Sequence, residues 1–306
     1  MGLAKSVARK AALTGQRIAA RAGVLVVPNH YYAPVVGIDE LSRSRSVWAR
    51  RSSLHGIDMN LEAQAALLTD MVATYEPEYR GNTVFTEGQS SGYGPGFGYI
   101  EAQCLHGMLR SLKPGRIIEV GSGVSTHCAA HALALNAAEG RPGTITCIEP
   151  NPSAYLKRSG KIKLIDKIVQ EVETSAFSTL EADDLLFIDS THTVKPGGDV
   201  SFIYTEVLPI LKPGVVVHIH DIYFPFLYQR DVLDSLYQWS ESLVLASLLV
   251  NNAKLSVMAC LSMLHYDNPV ALRQVFPEYE RAPDNHGLAD RKTRGHFPSS
   301  IYLRVH

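Results

Sequence analysis

The chain has 306 residues, of which 46% are hydrophobic, and its 29 basic residues nearly balance its 30 acidic ones. A formal net charge of -1 gives no whole-chain attraction to nucleic acid, so we predict no nucleic-acid partner. No run of about 18 or more apolar residues is present, so we predict no transmembrane helix. The apolar run GVLVVP at 23–28 is too short for the core of a signal peptide.

The first 112 residues show no regular alternation of strands and helices. We predict a basic helix at the start, an extended segment at 27–37, a helix at 60–75 and a glycine- and tyrosine-rich loop, SGYGPGFGY, at 91–99. We interpret 1–112 as a cap over the functional site. An oligomerisation arm is the alternative, and we predict a homo-oligomer. Five basic residues precede the first acid and predict a solvated helix face, with docking on a membrane or partner as the alternative: Lys5, Arg9, Lys10, Arg17 and Arg21.

From residue 113 onward, short β-branched runs alternate with helical segments, which is typical of a parallel sheet covered on both faces. Residues 113–306 are therefore predicted to form one α/β domain. The predicted strands are 115–121, 143–150, 167–172, 184–190, 214–221, 253–261 and 299–306. The predicted helices are 125–138, 151–160, 199–211 and 235–250, with no clear helical segment between the last two strands.

The four cysteines, at 104, 128, 147 and 260, are widely spaced and contain no CxxC pair. This spacing favours reduced, buried residues over a disulfide framework or a zinc site. We therefore predict a cytoplasmic protein.

The segment EVGSGVST at 119–126 lies where the first strand gives way to a helix, and its glycines allow a ligand to approach the backbone. A dinucleotide fingerprint has a third glycine where this chain has Thr126. Glu119, two residues before Gly121, would repel a pyrophosphate but can accept from an ammonium or hydroxyl group. Glu149 ends the second strand, where an acid can bind a ribose diol. The pattern favours a cationic, nucleoside-like ligand.

Acids and imidazoles follow the fourth and fifth strands: Asp189 and His192, then His220 and Asp221. The carboxyl ends of parallel strands share one edge of a sheet, and two carboxylates there repel unless a proton or a cation bridges them. We predict a divalent metal held by Asp189, His220 and Asp221. Carboxylates suit Mg²⁺, whereas an imidazole shifts the preference toward Mn²⁺, Fe²⁺ or Zn²⁺. The alternative is that Asp221 caps a helix and His220 packs in the crevice. His218 is interpreted as a structural histidine.

With these motifs, residues 110–306 resemble the class I S-adenosylmethionine-dependent methyltransferases. The motifs are similar to those of metal-dependent sugar and natural-product O-methyltransferases of the macrolide and cephalosporin pathways. The resemblance implies a Rossmann-like, seven-stranded sheet with a reversed last strand. It also implies that residues 175–180 contact adenine. The implied cofactor-binding residues are Glu119, Gly121, Ser122, Gly123, Ser125, Thr126, Glu149, Pro150, Asp189 and Ser190.

The resemblance further implies that Asp189 and His192 are catalytic, with His192 as the base. This chain has His220 where the group has a glutamate, so the metal and the need for one stay open. A metal would lower the pKa of a bound hydroxyl, and a neutral imidazole could then accept its proton. The implied acceptor is a sugar hydroxyl on a glycoside, glycan or small natural product, and N-methylation is an alternative. A metal-dependent hydrolase and a noncatalytic scaffold are the other hypotheses.

Overall fold

The computed structural model describes residues 2–93, 96–160, 162–282 and 294–306, with the side chains of the first helix described from residue 12 onward. The chain divides into two units, the first ending at Trp48 and the second spanning Ala49–His306. Across the described ranges, no helix is both long enough and apolar enough to cross a bilayer.

The first unit contains three helices, α1 (Gly2–Arg21), α2 (Ile38–Arg43) and α3 (Arg45–Trp48). The helix predicted at the start of the chain is therefore confirmed. The indole N–H of Trp48 donates to the carbonyl oxygen of Leu41 at 2.8 Å, which ties α3 to α2. Tyr31 and Tyr32, in the segment between α1 and α2, are almost fully exposed. The predicted solvated basic face falls largely on side chains outside the described ones.

The second unit is built on a seven-stranded sheet with the order β3-β2-β1-β4-β5-β7-β6. The first five strands are parallel, and β7 runs antiparallel to both β5 and β6. The predicted fold class and the reversed last strand are thus confirmed. The strands are β1 (Arg116–Val120), β2 (Thr144–Ile148), β3 (Ile162–Ile165), β4 (Leu185–Ile188), β5 (Val216–Ile219), β6 (Leu255–Cys260) and β7 (Ile301–Val305).

Helices cover both faces of this sheet. Those before the sheet are α4 (Leu61–Met71), α5 (Glu76–Tyr79), α6 (Thr83–Ser90) and α7 (Tyr99–Leu112). Those within it are α8 (Val124–Ala138), α9 (Ala154–Arg158), α10 (Asp199–Phe202), α11 (Val232–Ser235), α12 (Glu241–Leu249), α13 (Leu261–Asp267) and α14 (Pro269–Val275). A π-helical turn, Ile203–Val207, and a 3₁₀ turn, Leu208–Ile210, continue α10. Further 3₁₀ turns are Ala73–Tyr75, Val169–Glu171 and Thr174–Thr179.

The alternation of side chains along β4 explains why this central strand is apolar throughout. Leu185 and Phe187 point to one face, where they join the core formed with α7 and α8. Leu186 and Ile188 point to the opposite face and pack with residues of α10 and α12. Because both faces are covered, every position of β4 is buried, and no polar residue is placed before the strand ends.

One predicted strand is wrong. Residues 167–172 were expected to form the third strand, but β3 is Ile162–Ile165, and 169–171 form a 3₁₀ turn. β3 lies at the edge of the sheet and pairs with β2 alone among the described strands, so its residues are only partly buried. A strand of four residues is too short for its side-chain pattern to distinguish it from the apolar pair Ile168 and Val169 that follows.

The C-terminal part also departs from expectation. Two helices, α13 and α14, lie between β6 and β7, where no helix was predicted. The helix predicted at 235–250 begins only at Glu241. Leu236 ends α11 with a φ of +61°, and this left-handed residue breaks the chain direction before α12.

Candidate active site

The glycine loop between β1 and α8 brings the ends of β1 and β4 into close contact. Gly121 has a φ of +94°, and a Cβ on it would lie 2.1 Å from the carbonyl oxygen of Asp189. The amide of Asp189 donates to the carbonyl oxygen of Val120 at 2.9 Å. Only glycine fits both the conformation and the space, so this position joins the loop to the acidic residue that follows β4.

Glu119 is buried beneath the same loop. Its carboxylate accepts from the hydroxyls of Ser125 and Thr126, both at 2.7 Å, and from the thiol of Cys147 at 3.2 Å. Burial raises the pKa of Glu119 to about 7 in spite of these bonds. Ser125 and Thr126, predicted to bind the cofactor, therefore direct their hydroxyls to Glu119. These bonds hold the first turn of α8 against the sheet.

A cleft of about 440 Å³ opens beside the loop, at the carboxyl ends of β1, β2 and β4. Five of the predicted cofactor residues line it: Gly121, Glu149, Pro150, Asp189 and Ser190. Glu149 accepts from the amide of Asn151 at 2.7 Å and from the hydroxyl of Ser122 at 3.4 Å. Ser122 thus contacts the site through Glu149. Gly123 precedes the first residue of α8, and its amide donates to the hydroxyl of Thr126 at 3.1 Å.

The far wall of this cleft was not predicted from the sequence. It is made by residues 168–170, at the start of the 3₁₀ turn in the segment predicted as the third strand, together with Thr191, Lys195 and Asp199. Residues 175–180, expected to contact adenine, do not line the cleft, and Phe177 among them is fully buried in the core. One sequence pattern could have indicated this wall: the apolar pair Ile168 and Val169 directly precedes the polar Gln170, as expected where a base is packed and hydrogen-bonded.

The acids and imidazoles after β4 and β5 converge as predicted. The Nε2 atom of His192 lies 3.3 Å from Asp189 Oδ1 and 3.6 Å from Asp221 Oδ2. The Nδ1 atom of His220 lies 3.3 Å from Asp189 Oδ1 and 3.5 Å from Asp221 Oδ2. Asp189, His220 and Asp221 each offer a ligand atom within 4.8 Å of the others, a grouping that could hold a metal ion.

Two further carboxylates, which the sequence reading missed, complete the cluster. Glu101 of α7 lies 3.0 Å from His220 Nε2, and Glu241 of α12 lies 2.8 Å from His192 Nδ1. Both glutamates are almost fully buried. They come from helices distant in sequence, at helix positions that carry no motif, so only the fold reveals them.

A second cavity, of about 290 Å³, lies on the side of the cluster formed by His220 and Asp221. Its walls include the aromatic rings of Phe97, Trp239 and Phe297. The ring of Trp239 is also 4.6 Å from that of His192, measured between centroids. The cluster is therefore bordered by the cleft at Asp189 and by an aromatic cavity at His220 and Asp221.

Residues 118–222, from β1 to just beyond β5, match a family model described as a methyltransferase domain. These residues carry a methyltransferase domain. This match and the observed sheet confirm the predicted family and the predicted enzyme class, an S-adenosylmethionine-dependent methyltransferase. An uncharacterised protein of Archaeoglobus fulgidus is 28% identical over 183 residues, which cover 55% of this chain and 79% of the relative.

Solved methyltransferases are also similar to the chain. The O-methyltransferase TomG of Streptomyces achromogenes, solved with S-adenosylmethionine, is 14% identical, with a TM-score of 0.39 over 78% of this chain and 89% of TomG. CalS11, a TDP-rhamnose 3'-O-methyltransferase of calicheamicin biosynthesis, is 15% identical, with a TM-score of 0.36 over 82% of this chain and 96% of CalS11.

The electrostatics of the acid and imidazole cluster are set by its excess of carboxylates. Burial alone would lower the pKa of His192, but hydrogen bonds to Asp189 and Glu241 and the charge of Asp221 raise it to about 10. Burial likewise opposes the charged form of His220, and the surrounding carboxylates raise its pKa well above the usual range. Burial would raise the pKa of Asp189, but the two imidazoles hold it well below its usual range. The cluster therefore attracts positive charge strongly.

Two residues of the cluster have left-handed backbone conformations. His192 has a φ of +56° and Asp221 a φ of +55°. A non-glycine residue pays about 1–3 kcal/mol for such a conformation, which persists where the surroundings impose it and is frequent at functional sites. The fold thus holds both side chains in the crevice at a cost in stability.

His218 lies outside the cluster that contains His220, in agreement with its interpretation as a structural histidine. Its ring is stacked between Phe187 and Tyr302, with centroids 4.2 Å from each. Its Nε2 atom is 2.8 Å from the hydroxyl of Ser300, and burial lowers its pKa well below the usual value. The structure therefore places His218 in the core behind the cluster. The four cysteines are buried and free, as expected.

Proposed function

We propose that the protein transfers a methyl group from S-adenosylmethionine to a hydroxyl of a small molecule or glycan, with the help of a divalent metal. The observation that carries this proposal is the position of the acid and imidazole cluster between two cavities. The cleft reaches it at Asp189, and the aromatic cavity reaches it at His220 and Asp221. A donor in the first cavity and an acceptor in the second would meet at the cluster.

The cleft suits S-adenosylmethionine. Glu149 lies at the end of β2, where an acidic side chain can accept from the two hydroxyls of a ribose. Ile168 and Val169 offer an apolar wall for a base, and Gln170 an amide beside it. The sulfonium supplies an already activated methyl group, so the work left to the chain is chiefly to align the reacting atoms.

The cluster also fits a divalent metal. Neither ring nitrogen of His220 has a hydrogen-bond partner in the described part of the chain, although both lie near carboxylates, so Nδ1 is available as a ligand. Counted as ionised, the four carboxylates outnumber the two imidazoles and leave two negative charges even when both imidazoles are protonated. Asp189, His220 and Asp221 would hold the ion, and carboxylates with one imidazole suit Mn²⁺ or Mg²⁺, or else Fe²⁺ or Zn²⁺. A bound metal would lower the pKa of an acceptor hydroxyl.

His192 is proposed as the base. Its Nε2 atom lies 3.3 Å from Asp189 and 3.6 Å from Asp221, so it would be close to an acceptor hydroxyl on a metal held by these carboxylates. The imidazole can act as a base only when neutral, and cation binding to the two carboxylates would remove much of the charge that keeps it protonated.

The acceptor cavity favours a ring with one reacting hydroxyl. Phe97, Trp239 and Phe297 provide flat apolar surfaces, and the polar groups are gathered at one end in the cluster. A sugar ring or an aromatic ring could stack on such walls. We propose a glycoside, sugar or natural-product hydroxyl as the acceptor.

The organisation of the chain is proposed on the same basis. Phe97 and Glu101 precede residue 113, so the segment before the predicted domain boundary contributes to the acceptor side of the site. This supports a cap within 1–112 and a methyltransferase domain over 113–306. The four free, buried cysteines support a reducing, cytoplasmic location. Homo-oligomerisation stays a prediction.

The test is transfer of a labelled methyl group. The purified protein is incubated with S-adenosylmethionine labelled in its methyl group and a panel of catechols, glycosides and nucleotide sugars, with Mg²⁺, Mn²⁺ or EDTA. We expect labelling of at least one hydroxylated ring compound, and loss of that labelling in EDTA. Labelling that persists in EDTA would refute the proposed role of the metal. A protein that binds neither S-adenosylmethionine nor S-adenosylhomocysteine would contradict the proposed function altogether.

A further inference from the structure

Glu241 is an acid in an unusual place. It is the first residue of α12, and its side chain is only 1% exposed. Its Oε2 atom lies 2.8 Å from His192 Nδ1, and the buried phenol of Tyr204 is a second neighbour of this carboxylate. A buried carboxylate is a poor source of stability, because an ion pair of this kind barely offsets the cost of removing its charges from water.

Backbone amides at the start of α12 also hydrogen-bond to His192. The carbonyl oxygen of His192 accepts from the amides of Ser240 and Glu241, at 2.9 and 3.1 Å. The amide of Val194 donates to the hydroxyl of Ser240 at 3.0 Å. The loop after β4 therefore caps the N-terminus of α12, and these bonds impose the left-handed conformation of His192.

The two nitrogens of His192 consequently face different partners. Nδ1 faces Glu241, which as a carboxylate can only accept a hydrogen bond. Nε2 faces the crevice between Asp189 and Asp221. When the imidazole is neutral, its proton is therefore held on Nδ1, and the lone pair is left on Nε2, on the side of the acceptor.

We propose that Glu241 is a positioning residue that fixes the tautomer and the orientation of His192 so that Nε2 can accept the hydroxyl proton. This inference rests on the proposed function for its catalytic meaning. The position of the proton on Nδ1, held there by Glu241, does not depend on which acceptor is methylated. The same logic applies wherever a carboxylate orients a catalytic imidazole.

The first test observes the proton directly. Protein labelled with ¹⁵N-histidine is studied by NMR with S-adenosylhomocysteine and Mg²⁺ over a range of pH, so that the tautomer is determined where the ring of His192 is neutral, and His192 is assigned from the signals lost in His192→Ala. We expect a protected Nδ1–H resonance in the wild type and its loss in Glu241→Leu. The neutral ring of that variant should carry its proton on Nε2, where Asp189 can accept it. An unchanged Nδ1–H resonance in the folded variant would overturn the proposal.

Two further variants distinguish loss of His192 positioning from a general loss of folding. Ser242→Ala removes a buried hydroxyl from the same turn of α12, where it accepts from the amide of Tyr223 at 3.1 Å. It should leave the His192 signals unchanged. Glu241→Gln keeps the volume of the side chain and serves if the leucine variant does not fold. It should show a mixture of tautomers, because an amide can both donate and accept. A tautomer in the glutamine variant identical to that of the wild type would contradict the role of the carboxylate.

The second test uses turnover with an acceptor found by the labelling panel. Glu241→Leu should lower kcat about 10²-fold, within the usual contribution of a positioned base, with KM changed less than about threefold. In a His192→Ala background the same substitution should have no further effect, because its target is gone. An equal loss in both backgrounds would assign Glu241 a purely structural role. Calorimetry with S-adenosylhomocysteine is run in parallel, since failure of the wild type to bind it would refute the proposed function and leave the NMR result standing.

Discussion

Replacement of Gly121 by alanine tests how the fold joins the cleft to the cluster. A Cβ at this position would lie 2.1 Å from the carbonyl oxygen of Asp189, and ordinary contact begins at 3.4 Å, so the two strand ends must separate by about 1.3 Å. The φ of +94° adds about 1–3 kcal/mol of backbone strain for alanine. The steric conflict should cost about another 1–3 kcal/mol.

Gly140 provides the matched control. It has a φ of +80°, but a Cβ on it would meet no atom within 4 Å. Gly140→Ala should therefore show the strain alone, and Gly121→Ala should exceed it by about 1–3 kcal/mol in urea unfolding. Only Gly121→Ala should also weaken S-adenosylhomocysteine binding, by at least about tenfold, because it displaces Asp189. Equal costs for the two variants, with equal affinity for S-adenosylhomocysteine, would refute the reasoning.

Three other predictions concern the site itself. Glu149→Gln should weaken S-adenosylhomocysteine binding by about 1–3 kcal/mol, measured by calorimetry, because it removes charge-assisted bonds to the ribose, and an unchanged affinity would exclude Glu149 from the site. Asp221→Asn should abolish the EDTA-sensitive part of methyl transfer and leave S-adenosylhomocysteine affinity within about twofold; a parallel loss of both would contradict separate functions. The folded-state pKa of His192 is raised from 6.5 to about 10, so in metal-free protein its stabilisation is complete below pH 6.5 and is lost as the pH rises to 10. The melting temperature of His192→Gln should therefore fall less between pH 6.5 and 10 than that of the wild type. An identical fall in both proteins would argue against the raised pKa.

The sequence was most informative where the chemistry follows a buried strand. β1, β4 and β5 are covered on both faces, so their apolar runs are unambiguous and the polar residues at their ends stand out. This is why Asp189, His192, His220 and Asp221 could be predicted to meet. The reversed last strand followed from the family resemblance.

The sequence was least informative where tertiary contacts decide. β3 is a half-buried edge strand, and its weak pattern led to the misplacement of the strand and of the adenine side of the cleft. Glu101 and Glu241 lie on helices, where a single glutamate is normally a solvated residue. Their burial against His220 and His192 depends on how α7 and α12 pack on the sheet, which no local pattern encodes.

A crystal structure of the protein grown with S-adenosylhomocysteine and Mn²⁺ tests the central claim most directly. The account predicts S-adenosylhomocysteine in the cleft, with its ribose hydroxyls on Glu149 and its sulfur directed toward the cluster. It also predicts an anomalous peak for Mn²⁺ bound by Asp189, His220 and Asp221. A ligand bound elsewhere, or a cluster without a manganese peak beside a filled cleft, would contradict the metal-assisted methyl transfer proposed for this site.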